Sequence, residues 1–191
     1  MRALLPLLLA AGLTIAAPAS AQMYDPPSRL AAQGEAMKPL AWMNGVWRGP
    51  AWTILANGQK HDVTQTERIG PFLGGTVKAL EGRGYGADGA VSFNAFGLIT
   101  YEPNAKAYSI RSCAMSYCGE FPLTLTDTGY VWEVPAGPGA KIRYTAVFKD
   151  GLWVETGERV EGDKPGVKMF EMDLRRVSDT DWPVGTPIPM K

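Results

Sequence analysis

The stretch Lys141-Ile-Arg-Tyr-Thr-Ala-Val-Phe-Lys149 alternates: Ile142, Tyr144, Ala146 and Phe148 hold one parity, while Lys141, Arg143 and Thr145 hold the other. Successive side chains of an extended chain point to opposite sides, so this pattern makes a strand with one buried and one wet face. Val167–Arg176 repeats it, with Phe170, Met172 and Leu174 set against Glu171, Asp173 and Arg175. Gly119–Thr126 adds Phe121, Leu123 and Leu125, and Gly129–Pro135 adds Tyr130, Trp132 and Val134. Strands with one apolar face pack antiparallel around a single core.

Working outward, turn signals separate these runs. Ala56-Asn57-Gly58, Ala87-Asp88-Gly89, Pro103-Asn104, Asp127-Thr128-Gly129, the Pro135–Gly139 run and Lys149-Asp150-Gly151 all combine residues that tolerate tight turns. Cutting at them leaves about nine or ten strands in chain order, and a twisted sheet of that many closes on itself to remove its edges. The expected fold is all-β: one antiparallel up-and-down barrel of about 9–10 strands over residues 41–178. Before it, residues 22–40 form an extension whose helical candidate is Pro26–Met43. Ser28 is the expected N-cap and Leu30, Met37 and Leu40 the apolar face, with Gly34 and Pro39 keeping the helix short. Residues 179–191 are proline-rich and read as a flexible tail.

Residues 1–21 have the layout of an export signal. Arg2 supplies a positive start, Ala3–Ala17 is almost wholly apolar, and Ala19-Ser20-Ala21 is a small-residue cleavage site. A membrane-spanning helix needs about 20 apolar residues, and Pro18 and Ser20 interrupt the run first. Cleavage after Ala21 would deliver a periplasmic or extracellular protein with no stable membrane insertion. The chain carries 19 basic and 19 acidic residues, and 18 against 19 without Arg2, so it has no electrostatic pull toward nucleic acid. Cys113 and Cys118 are the only cysteines. In an oxidising compartment they suit a small disulfide that pins a turn, the alternatives being two free thiols or a redox pair. With one histidine, His61, and no second cysteine pair, no metal site is expected.

Leu40-Ala-Trp-Met-Asn-Gly-Val-Trp-Arg-Gly49 places a helix end ahead of Gly45-x-Trp47, and Arg175-Arg176 closes the last strand. This arrangement resembles the lipocalin and calycin-like barrels. The resemblance implies that Gly45, Trp47 and Arg176 form a plug at one end, with the arginine stacked on the tryptophan. Phe72-Leu-Gly-Gly75, Ile99-Thr-Tyr-Glu-Pro103, Trp153-x-Glu155 and Phe170-Glu-Met172 extend it, and from Ala41 to Val177 the chain is similar to the exported domain-of-unknown-function family 1579. That resemblance implies a fold and no established activity. Nitrobindin-like haem barrels also open on a glycine–tryptophan strand, but their late haem-ligating histidine has no counterpart after His61. No cofactor is expected.

Strand parity yields lumen candidates: Gln65 and Glu67 beside Val63, Glu81 beside Val77 and Ala79, Glu158 beside Leu152 and Val154, together with Asn94, Trp132 and Tyr144. Polar groups on apolar walls make a small-ligand pocket, and barrels of this size are just wide enough for one ligand. A slip of one residue would turn any of these outward, so surface or mouth positions are the competing reading. Glu67 and Glu81 would lie on adjacent strands, where close carboxylates raise one pKa and suit general-acid work. Three functions follow: a barrel binding a small apolar or amphipathic ligand, a structural or protein-interaction module with a packed core, or an enzyme using the carboxylate pair. Non-enzymatic binding is the leading one. Trp153, opposite in parity to Leu152 and Val154, is expected on the outer face.

Overall fold

The computed structural model describes residues 27–183, so the expected export signal and the residues beyond Pro183 lie outside it. Ten strands form a closed barrel: β1 (Gly45–Ile54), β2 (Lys60–Phe72), β3 (Val77–Tyr85), β4 (Val91–Glu102), β5 (Ala107–Ala114), β6 (Tyr117–Thr126), β7 (Gly129–Pro135), β8 (Ala140–Lys149), β9 (Leu152–Glu161) and β10 (Val167–Ser178). Each pairs antiparallel with its neighbours in sequence, and β10 returns to β1. The chain is therefore all-β, with one short helix ahead of the barrel. Tight turns set the registers. At the β8–β9 turn Asp150 and Gly151 both have positive φ (53° and 75°), the twist a two-residue hairpin requires.

Helix α1 (Pro27–Met37) starts one residue before the expected cap. Pro27 suits a first helical position because its missing N–H has no role there, which places Ser28 inside the first turn. Pro39 then tightens the chain into a 3-10 turn over Lys38–Met43. Met37, Leu40 and Met43 are buried, whereas Leu30 is exposed. Gln33 Nε2 donates to the Tyr101 carbonyl at 3.2 Å and the Tyr108 hydroxyl to the Ala36 carbonyl at 2.6 Å, so the helix is tied across the β4–β5 end of the barrel.

The start of the expected loose tail is seated: Trp182 packs against Phe72 with ring centroids 5.9 Å apart, and Arg68 lies 5.8 Å from its ring centre.

The alternation read for β2, β6, β7, β8 and β10 matches the buried faces, but two strands run in the other parity. On β3 Lys78, Leu80, Gly82 and Gly84 are all buried, Ala79 being the one buried residue of the other parity, so Glu81 and Arg83 face outward and pair with each other at 2.5 Å. The glycines hid that face, having no side chain to mark it. On β9 the buried set is Trp153, Glu155 and Gly157. Trp153 is thus core, not surface, and Glu158 faces away from the lumen, against the turn at Gly166. A buried acid beside half-buried Leu152 and Val154 inverts the usual polar-out pattern.

Candidate functional site

The inward residues of the strands form two layers. Around the closed end Trp47 packs edge-on against Trp42 (6.3 Å), Phe148 (5.9 Å) and Trp153 (5.7 Å), while Trp42 stacks on Phe148 at 4.9 Å. Trp47 Nε1 donates to the Met43 carbonyl at 2.8 Å, which ties this cluster to the 3-10 turn. Arg176 is opposite Trp47 in register, as expected, but its guanidinium is engaged otherwise. It donates to the Asn44 carbonyl from Nε (3.2 Å) and Nη2 (3.0 Å), and to Asp179 at 2.6 Å. Gly45 makes room for it: a Cβ there would stand 2.7 Å from Arg176 Nε. The arginine therefore caps backbone at the strand end instead of lying on the tryptophan face. Lys78 also sits at this end, bonded to Asn44 Oδ1, and burial pushes its pKa down to about 8.

Above this floor lies a lumen of about 440 Å³ that opens at the opposite end. Glycines make room for the side chains of its wall. Cβ atoms on Gly82, Gly84 and Gly157 would stand 2.6 Å from the Glu67 carboxyl, 3.2 Å from Phe93 and 2.9 Å from the Tyr144 ring, and one on Gly119 would strike Phe121. At the rim, Met115 and Ser116 form the β5–β6 turn with positive φ (49° and 69°). Such backbone costs non-glycine residues roughly 1–2 kcal/mol each, and the Cys113–Cys118 disulfide immediately behind the turn holds it.

Gln65, Glu67, Trp132 and Tyr144 all line the lumen. Asn94 does not: it is exposed and pairs with the outward Arg83. Glu81 is opposite Arg68 in register, whereas Glu67 is opposite Gly82, so the two acids lie on opposite faces of the sheet. The catalytic pair Glu67–Glu81 is thereby overturned.

The acid that does share the lumen with Glu67 is Glu155. Its Oε2 accepts from the Tyr130 hydroxyl at 2.9 Å and its Oε1 from Trp132 Nε1 at 3.2 Å. Trp153, 1% exposed, holds its indole N–H close enough to lower the Glu155 pKa but outside hydrogen-bond geometry. Glu67 Oε1 accepts from Gln65 Nε2 at 2.7 Å. Burial raises the Glu155 pKa, partly offset by its donors. Burial, with repulsion from Glu155 and Glu81 adding to it, pushes Glu67 up to about 8. Tyr144, pushed up to about 12 by burial, and Tyr130, raised well above its ordinary value by burial, remain neutral donors. The two acids thus form one coupled set, with Glu67 holding a proton at neutral pH and Glu155 better solvated by donors.

Glu155 was legible in principle. Asp150-Gly151 makes a two-residue turn, so Lys149 pairs with Leu152 and Phe148 with Trp153. The inward parity of β8 then dictates an odd inward set on β9. Alternation alone places Tyr130 in the apolar core; its hydroxyl role becomes visible only once Glu155 is inside.

No cluster of metal-ligating residues occurs among the described residues, and no helix among them is long and apolar enough to cross a membrane.

No protein-family model matches the chain, and no curated protein matches it. Among solved structures it is similar to the crystal structure of Rv2717c from M. tuberculosis, at 11% identity and a TM-score of 0.57, over 74% of this chain and 97% of that one. At such identity the likeness speaks for the fold alone. The described residues form a closed ten-stranded antiparallel barrel, and the fold is what the likeness supports.

Proposed function

We propose that this protein is an exported barrel of the kind seen in domain-of-unknown-function family 1579, binding one small apolar or amphipathic molecule in its lumen. The observation that carries the reading is the open cavity of about 440 Å³, a volume within the usual range of small-molecule sites. Trp132, Tyr144 and Phe170 furnish an aromatic wall, with Trp132 stacked on Tyr144 at 4.6 Å. Gln65 and Glu67 add polar anchors deeper in. A module with a packed core would have filled this volume, so the cavity counts against that alternative.

Two measurements test it. Native mass spectrometry of protein exported by its own host should show a bound small molecule. Nile red should brighten on entering the lumen, and Ala95→Trp, which narrows it, should abolish the signal while leaving the fold intact by circular dichroism. Brightening that survives Ala95→Trp, with no bound mass, defeats the reading.

A further inference from the structure

We propose that the lumen selects ligands that carry a protonated amine on an apolar body, with the ammonium group held at Glu67 and Glu155. This deepens the lumen-binding reading and rests on it. Three observations carry it.

The first is the charge inventory. Among the described lining residues Glu67 and Glu155 are the carboxylates, and there is no lysine or arginine. His61, the remaining ionisable side chain besides the tyrosines, lies out at the mouth, 3.3 Å from Ser92 Oγ. Buried acids in protein interiors normally have a cation or enough donors to compensate them. The groups facing the pair from adjacent strands are Trp47 and Gly82 beside Glu67, and Ala146 and Met172 beside Glu155, none of which ionises. The nearest further charge acting on Glu67 is another acid, Glu81, through the sheet. A countercharge is missing, and the lumen gives it a way in.

The second is the donor arrangement around Glu155. The Tyr130 hydroxyl and the Trp132 N–H donate to its two oxygens, and the buried, unpartnered Trp153 N–H lies beside them. Three donors turned toward one carboxyl favour its ionised form, because a protonated acid has fewer lone pairs to offer them. The floor of the lumen therefore offsets part of the cost that burial sets on an anion there. Glu67 supplies a second carboxyl that a cation can ionise; it lines the lumen, seated over Gly82, where a Cβ would stand 2.6 Å and 3.0 Å from its two oxygens.

The third is the wall. Trp132, Tyr144 and Phe170 present aromatic faces between these acids and the mouth, which suits an apolar body and adds cation–π attraction to a passing ammonium. A carboxylate ligand would meet like charge at the floor, and an alcohol would gain nothing from it.

The experiment compares three probes with one body and different heads: phenylbutylamine, phenylbutanol and phenylbutyrate, titrated calorimetrically into the mature protein. The amine is expected to bind about tenfold or more tighter than the alcohol, with the carboxylate weakest. Near neutral pH, amine binding should release a proton as Glu67 ionises, so its heat differs between phosphate and Tris buffers while that of the alcohol does not. Glu67→Gln should shrink the amine's preference over the alcohol to within about threefold. Glu155→Gln removes the acceptor for Tyr130 and Trp132 and can fail to fold, so the proton-release measurement on the unaltered barrel serves as the second readout. If alcohol or carboxylate binds as tightly as the amine, or if none of the three binds while Nile red does, the head-group selectivity is overturned and the lumen reading stands. If Nile red also fails to bind, both fall.

Discussion

At the closed end of the barrel the inward positions hold Trp47, Trp153 and Phe148, with Trp42 inserted from the 3-10 turn; toward the open end β3, β6 and β9 carry Gly82, Gly84, Gly119 and Gly157. The strands, their pairing and their number do not change between the two layers. What changes is side-chain volume, so the lumen is a matter of which residues fill the cylinder and not of how wide the cylinder is. The polar groups follow the same division. Aromatic rings pack edge to face below, where little is left to solvate, and the two acids lie at the boundary where packing gives way to space.

The comparison can be broken most severely from below. Trp47→Ala removes a fully buried ring with three aromatic neighbours, and the expected loss is about 3–5 kcal/mol in denaturant unfolding. A loss under about 1 kcal/mol would mean that the closed end is not a packed plug.

The acids sharpen the contrast through pH. Burial raises the Glu67 pKa from 4.5 to about 8, so the folded state holds a proton there that the unfolded state releases. The associated stability is fully present below the unfolded value and declines as pH rises from about 4.5 to 8, after which this contribution is flat. Glu67→Gln removes the decline, and at pH values above about 8 the variant should exceed the parent by roughly 2–4 kcal/mol. Parallel stability–pH curves for the two proteins would show that Glu67 is not desolvated.

At the glycine layer, Gly82→Ala forces a methyl to within 2.6 Å of the Glu67 carboxyl. The expected cost is about 1–3 kcal/mol, together with weaker Nile red binding as the acid is driven into the lumen. At the rim, Cys113→Ser with Cys118→Ser should cost about 2 kcal/mol and raise hydrogen exchange chiefly at residues 114–117. Glu81→Gln, on the outer face, should change stability by less than about 0.5 kcal/mol and leave lumen binding untouched. An effect of Glu81→Gln on ligand affinity would contradict the register of β2 and β3.

Much of the fold was legible because strands with one apolar face announce themselves. Ile142, Tyr144, Ala146 and Phe148 and their equivalents on β2, β6, β7 and β10 gave the core face, and the turn residues gave a strand count that the barrel meets. The site was only half legible. Gln65, Glu67, Trp132 and Tyr144 sit on strands whose apolar neighbours mark the inward parity. Parity alone puts Glu81, Asn94 and Glu158 inward, on strands where glycine, apolar residues on both faces or a buried acid obscure the true face.

From the sequence alone come the period-two strands, the short turns, the paired cysteines and the glycine–tryptophan entry to the first strand, all of them local consequences of side-chain alternation and backbone freedom. Only the tertiary structure decided which carboxylates meet. Glu67 and Glu155 are far apart in the chain and are not on paired strands, so their encounter depends on closure of the barrel and on register through every intervening hairpin. A shift of one residue in any of those pairings exchanges the inner and outer faces of a strand, and local pattern cannot supply that bit where the inward residues are themselves glycine or acid.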